Sequence, residues 1–218
     1  MSSVAMFPLG SVLLPHTPLA LRLFEPRYLT MLGRLLDEEN PLFGVVMIER
    51  GSEVGGGDQR SRIGTLARIV QVEAAADAMH VVAVGGDRFE TTRWLDDDPY
   101  PLAEISPLPV LEWDDALLPL HTEAEAIVRR VVARATLLSE RMDEALPDSA
   151  PWNALRWDAA TELSEDPIES AWQLAAIAPL GDFDRQTLLR STTVGGLLRQ
   201  VIDLTLEQEA VLTASDSL

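Results

Sequence analysis

Hydrophobic residues in the first half of the chain recur with the period of two that is typical of β-strands. Leu19, Leu21 and Leu23 alternate with other side chains, which predicts a strand with one buried face. Pro26 suits a first helical position, and the apolar spacing after it predicts a short helix that ends by Pro41. Other strands are predicted in the apolar runs at residues 7–14, 42–48, 63–72, 79–84, 89–95 and 102–110.

The hydrophobic period changes to 3.6 after residue 118, which indicates α-helices. Thr122-Glu123-Ala124-Glu125 has the form of a capping box and predicts a helix start. Asp166-Pro167-Ile168-Glu169 has the same form and predicts a second helix, with Trp172 on its buried face. Further helices are predicted around residues 187–190 and 197–204. The pattern therefore predicts an α+β protein, with a mostly antiparallel β domain at residues 1–112 and an α-helical domain at residues 113–218.

Three polar or irregular segments interrupt this pattern. Gly85-Gly86-Asp87 predicts a turn between two strands. The stretch between Glu49 and Ile63 contains Gly55-Gly56-Gly57 and predicts a flexible hairpin loop. Residues 143–165, with Trp152 and Trp157, match no predicted element.

The net charge of −18 restricts the partners of the chain. Proteins that bind nucleic acid neutralise phosphates with basic side chains, so this field repels nucleic acid and anionic lipid. A nucleic-acid site requires the basic side chains of the β domain to converge on one face; these are Arg60, Arg62, Arg68, Arg88 and Arg93.

Missing residue types exclude several chemistries. The chain has no cysteine, so it has no disulfide, thiolate metal site or cysteine nucleophile. All 17 basic residues are arginine, which excludes a phosphate-binding loop lysine, a Ser–Lys dyad and a Schiff base. His16, His80 and His121 show no zinc-ligand spacing, and a serine triad from distant residues stays open. No apolar run is long enough for a membrane span, and a cytoplasmic protein without metal or cofactor is expected.

An ordered set of motifs resembles one known family. Phe7-Pro8-Leu9, Val12-Leu13-Leu14-Pro15 and Phe24-Glu25-Pro26-Arg27-Tyr28 resemble the opening signature of the Lon protease N-terminal (substrate-binding) domain. The similarity continues through motifs in the middle and at the end of the chain, which are Phe43-Gly44-Val45-Val46, Glu53-Val54-Gly55, Ile63-Gly64-Thr65-Leu66-Ala67, the late barrel turn from Gly85 to Arg88-Phe89, Ala171-Trp172-Gln173-Leu174 to Pro179-Leu180, and Gln186-Thr187-Leu188-Leu189.

The resemblance implies a fold and a function. The fold is a six-stranded, PUA-like β-barrel or sheet with a short helix, followed by a helical bundle. The function is non-catalytic recognition of unfolded or client polypeptide, or of one dedicated protein partner, as an adaptor or regulator in protein quality control. The implied form is free-standing, without the ATPase and protease modules. A PUA-like nucleic-acid-binding protein and an enzyme with an unrecognised site are the alternatives.

Six residues are candidates for the peptide-binding surface: Phe24, Arg27, Tyr28, Arg88, Phe89 and Trp94. Arginine beside an aromatic ring is a common pair at binding hot spots. The structural alternative is that Glu25 caps the helix, Arg27 pairs with an acid and Tyr28 packs inward. Arg88 and Phe89 have the same alternative, because an aromatic residue at a strand start also serves a core. The residues alone do not specify an oligomeric state.

Overall fold

The computed structural model describes residues 3–50, 59–141 and 159–215. The chain divides into two compact units, Met1–Val110 with the strands and Leu111–Leu218 with most of the helices. The predicted α+β fold is confirmed. Residues 51–58 of the predicted hairpin loop, which include Gly55-Gly56-Gly57 and the Glu53-Val54-Gly55 motif, lie outside the described residues, as do Trp152 and Trp157. The remaining residues of that stretch belong to two strands.

The first unit is a curled six-stranded sheet with one helix. Its elements are β1 (Ser3–Leu9), β2 (Pro18–Leu23), α1 (Pro26–Leu36), β3 (Leu42–Arg50), β4 (Gln59–Ala74), β5 (Met79–Leu95) and β6 (Leu102–Pro107). The strand order is β2-β5-β4-β3-β1-β6, and β5 also pairs with β6. Five strands therefore close into a barrel, and β2 continues the sheet beyond it. The β1–β3 pair is parallel and the other pairs are antiparallel.

The predicted turn at Gly85-Gly86-Asp87 is wrong, because β5 runs through these residues as one strand. The first part of β5 pairs with β2 and the last part pairs with β6. A Cβ atom at Gly85 would lie 2.2 Å from the carbonyl oxygen of Leu14. Glycine is thus needed there for a close approach of two backbones, at the place where β5 changes partners.

Strand alternation divides the apolar residues of the sheet between two cores. Phe7 of β1 packs with Phe43, Tyr28 and Met31 in the core that α1 covers. Its neighbour Met6 points the other way and contributes to a second core within the barrel. The second core also contains Val46, Phe89 and Ala103.

The second unit is helical. Its elements are a 3-10 turn (Asp115–Leu117), α2 (Leu118–Arg141), α3 (Pro167–Ile177), α4 (Asp182–Leu188) and α5 (Val194–Ser215). Its core includes Ala171, Trp172, Leu174, Leu197, Leu198 and Val201. The predicted buried position of Trp172 is confirmed. None of the helices in the described ranges is long and apolar enough to cross a membrane.

The two predicted capping boxes differ in outcome. The carboxylate of Asp166 accepts hydrogen bonds from the backbone N–H groups of Ile168 and Glu169, so the start of α3 is confirmed. The start at Thr122 is wrong, because α2 begins at Leu118 directly after the 3-10 turn. The Thr122 hydroxyl instead donates to the Leu118 carbonyl inside the helix.

The short helix α4 begins earlier than predicted. It covers Asp182–Leu188, whereas the sequence predicted a helix around residues 187–190. Gly181 occupies the N-cap, and Asp182 and Asp184 lie in the first turn. Acidic residues are favoured there by the positive end of the helix dipole.

Candidate functional site

A cleft of about 230 Å³ opens in the first unit between β1, β2 and the start of α1. Its walls are residues 7–9 of β1, residues 20–23 of β2, and Phe24, Glu25 and Tyr28. We call it the β1–β2 cleft. Most of these side chains are apolar, and a few polar groups lie among them, which is the usual composition of a binding site.

The β2–α1 junction fixes the position of three predicted site residues. Pro26 is the first residue of α1, and the residue before a proline is restricted to extended backbone. Glu25 accordingly has φ −73° and ψ 132°. The alternation of β2 therefore continues past its end, so that Leu23 is buried whereas Phe24 is 57% exposed.

Arg27 contacts both Tyr28 and Glu25. The guanidinium of Arg27 lies 4.6 Å from the centre of the Tyr28 ring, and its Nε donates to the Glu25 carboxylate at 2.9 Å. The Tyr28 ring stacks on Phe7 with 4.1 Å between ring centres. Burial raises the pKa of the Tyr28 phenol, and the charge of Arg27 opposes that rise. The Tyr28 phenol is thus neutral at neutral pH, and the residue is only 5% exposed.

A second arginine lies at the other side of Phe24. Arg22 pairs with Asp77 at 2.6 Å, and its guanidinium is 5.6 Å from the centre of the Phe24 ring. Each of the two arginines near the cleft is therefore paired with an acidic side chain. The result is a locally neutral rim with an exposed aromatic ring over an apolar floor.

Trp94 lies near the end of β5. Its ring packs partly against the barrel core, and the guanidinium of Arg60 lies 4.3 Å from the ring centre. The charge of Arg60 also acts on the Tyr28 phenol. Trp94 is not among the residues that line the cleft.

Arg88 and Phe89 lie away from the cleft. Phe89 is fully buried in the barrel core. Arg88 is 7% exposed, and its Nη2 donates to the carbonyl of Pro109 at 2.8 Å. Burial lowers the pKa of the Arg88 guanidinium. The structure thus places Phe24 and Tyr28 in the lining of the cleft with Arg27 against the Tyr28 ring, and it gives Arg88 and Phe89 internal contacts. Tyr28 also packs inward into the core that α1 covers, as the structural alternative predicted.

Sequence reasoning missed the strand residues that form the walls of the cleft. Arg22 and Leu23 are next to the predicted group, and the alternation of β2 could have included them. Phe7 and Leu9 gave no such signal, because the position of β1 depends on pairing with strands that are distant in sequence, such as β3.

The second unit contains a histidine and serine in contact. His121 Nε2 and Ser170 Oγ lie 2.8 Å apart, and burial lowers the pKa of His121. Ser170 is 3% exposed, which leaves no room for a substrate beside its hydroxyl. The nearby carboxylate of Glu125 accepts from Arg129 at 2.8 Å. This pair therefore joins α2 to α3 and lacks the access that a nucleophile requires.

Three of the five arginines from which a basic face was considered are paired with acids or buried. Arg62 pairs with Glu90 and Arg93 pairs with Glu104. Arg88 is buried. Among the residues with described positions, no group of three or more histidine, aspartate and glutamate side chains is arranged to hold a metal ion.

Comparison with known proteins gives one family. Residues 3–207 match the family model of the ATP-dependent protease La (LON) substrate-binding domain. The chain is 26% identical over 200 residues to the Lon protease of Phenylobacterium zucineum (strain HLK1), which is 91% of this chain and 24% of that protein. The chain therefore spans about a quarter of the length of this curated relative.

Two solved structures share the fold. A Lon N-terminal domain protein from Xanthomonas campestris is 24% identical, with a TM-score of 0.61 over 93% of this chain and 98% of that one. The N-terminal domain of the Mycobacterium avium complex Lon protease is 19% identical, with a TM-score of 0.62 over 94% and 98%. These identities show a common fold.

Proposed function

Because this chain belongs to the family of the ATP-dependent protease La (LON) substrate-binding domain, we propose that it binds segments of unfolded or client polypeptide in the β1–β2 cleft. The observation that carries the proposal is the group of Phe24, Arg27 and Tyr28 at the cleft. An exposed aromatic ring and arginine–aromatic pairs above an apolar floor are the features of a protein-binding hot spot.

The chemistry of the cleft fits a polypeptide better than a small polar ligand. Phe7, Leu9 and Leu21 are each buried to 8% exposure or less, so the floor offers apolar contact. The arginines at the rim are paired with Asp77 and Glu25, which leaves no uncompensated positive charge for an anion. Exposed apolar segments of an unfolded chain match these properties.

Charge favours basic or amphipathic segments. The net charge of −18 attracts basic peptides over long range and speeds their encounter with the cleft. The same charge, with Arg62 and Arg93 in ion pairs, disfavours nucleic acid.

The proposed role is recognition without catalysis, as an adaptor or regulator in proteolysis. The sequence contains no lysine for a nucleotide-binding loop or for a Ser–Lys dyad. The one serine–histidine contact described above is buried. We place this role in the cytoplasm, because a chain without cysteine suits a reducing compartment.

Titration with one model protein in two states tests this function. A reduced and alkylated, fluorescently labelled protein is expected to bind saturably, whereas its native disulfide-bonded form is not. Binding is expected to weaken as salt rises if the labelled protein is basic, because screening shortens the reach of the negative field. Fluorescence anisotropy measures both.

Equal affinity for the native and the unfolded form would contradict recognition of unfolded chain. Absence of binding to the unfolded form would contradict the general role and leave a single dedicated partner as the proposal. Single-stranded and duplex nucleic acid of the same label serve as controls.

A further inference from the structure

Strand β2 has a free edge. It is the terminal strand in the order β2-β5-β4-β3-β1-β6. Within the described part of the chain it pairs with β5 along Pro18–Leu23 and with no other strand. In an antiparallel pair, every second residue directs its backbone N–H and C=O groups away from the partner. Half of the backbone groups of β2 therefore face outward.

The hydrogen bonds between β2 and β5 identify which residues of β2 direct their backbone groups outward. The N–H of Gly85 donates to the carbonyl of Thr17 at 2.9 Å, so Thr17 is in the phase that bonds to β5. The register continues without a shift to Leu23 opposite Met79. Residues 19, 21 and 23 therefore direct their backbone groups toward β5, as Thr17 does. Ala20 and Arg22 consequently direct their backbone groups toward the free edge.

The free edge opens into the β1–β2 cleft. The cleft is lined by four consecutive residues of β2, at positions 20–23, although successive side chains of a strand point to opposite faces. A cavity that touches consecutive residues contacts the edge of the strand. On the opposite wall, Pro8 of β1 has no backbone N–H to donate.

We propose that a client segment binds as an additional strand on the free edge of β2, an inference that rests on the proposed function. The occupant is an extended segment of about six residues, the length of β2, with apolar side chains at alternate positions. Backbone hydrogen bonds to Ala20 and Arg22 hold it, and its apolar side chains cover the floor of the cleft. Because backbone hydrogen bonds do not depend on the side chains, this binding mode gives affinity for segments of many sequences.

Charge complementarity specifies the flanks of the segment. Arg22, which lines the cleft, pairs with Asp77, and Arg27, which lies beside the lining residue Tyr28, pairs with Glu25. Residues 1–110 carry 15 acidic and nine arginine side chains, so the unit that contains the cleft has a net charge of −6. Lysine or arginine on either side of the apolar segment is therefore favoured.

The test is an N-methyl scan of the peptide that binds best in a tiled array of an unfolded model protein. Methylation of one backbone nitrogen at a time removes one donor. The affinity is expected to fall about tenfold at alternate positions and to change little at the positions between them, because only alternate groups face β2. A uniform loss, or no loss at any position, overturns strand addition.

A variant of the protein tests the other side of the same bonds. Ala20→Pro removes an outward N–H without removing a bond to β5, and proline is tolerated on a free edge. We expect about tenfold weaker binding with an unchanged circular dichroism spectrum. Full affinity in a folded Ala20→Pro variant would overturn the proposal, and if this variant does not fold, the N-methyl scan decides.

Failure of this inference differs from failure of the proposed function. If the unmethylated peptide binds but its methylated variants show no alternation in affinity, strand addition alone is contradicted. An array without any bound peptide contradicts polypeptide binding itself, and strand addition with it.

Discussion

Replacing Phe89 with alanine is expected to lower the free energy of unfolding by about 3–5 kcal/mol. The ring is fully buried with Met6, Val46 and Ala103 in the barrel core. Its Cζ atom would lie only 2.9 Å from a Cβ atom at Gly44, so the ring fills the space that this glycine leaves open. A closed barrel has little freedom to collapse around the resulting cavity. The loss is large against a typical total stability of about 5–15 kcal/mol.

Urea denaturation followed by circular dichroism measures this loss. Phe24→Ala is the matched control, because it removes the same ring from a position that is 57% exposed. The control is expected to change stability by less than about 0.5 kcal/mol. Similar losses in the two variants would contradict the division between a core phenylalanine and a surface one.

The second large effect concerns binding. Phe24→Ala is expected to weaken the affinity for unfolded polypeptide about 30-fold, which corresponds to the roughly 2 kcal/mol of a hot-spot residue. The exposed ring is the one large apolar side chain at the rim of the cleft that the fold does not bury. Titration with the labelled unfolded protein measures the change.

Leu36→Ala is the control for this effect. Leu36 is also apolar and 49% exposed, but it lies at the far end of α1 and outside the cleft lining. Its replacement is expected to leave the affinity unchanged. If both variants lose affinity equally, general surface hydrophobicity explains binding, and the β1–β2 cleft has no special role.

Local signals in the sequence predicted the elements well and their partners poorly. The N-cap at Asp166 was predictable because its hydrogen bonds reach only two and three residues along the chain. The box at Thr122 has the same form, but Asp114 accepts a hydrogen bond from Ala116 and begins the turn that leads into α2. A local pattern cannot decide between two nearby starts when the earlier one extends the helix.

Nonlocal pairing explains the other differences. Gly85 was assigned to a turn because glycine pairs are common in turns, whereas its role is the close approach to Leu14. The candidate site likewise combines residues that are close in sequence with residues that are distant in it. Phe24, Arg27 and Tyr28 were predictable as a group because they are neighbours in sequence. The contribution of Phe7 depends on the register of β1 with β3, which no short motif contains.

The most direct measurement is hydrogen–deuterium exchange of the protein with and without saturating unfolded polypeptide. Binding in the β1–β2 cleft predicts slower exchange at residues 18–28, with the clearest protection at the outward amides of Ala20 and Arg22. Exchange in α5, Val194–Ser215, is expected to stay unchanged. Protection confined to the helical unit, or bound polypeptide without any protection at residues 18–28, would contradict the assignment of the cleft as the binding site.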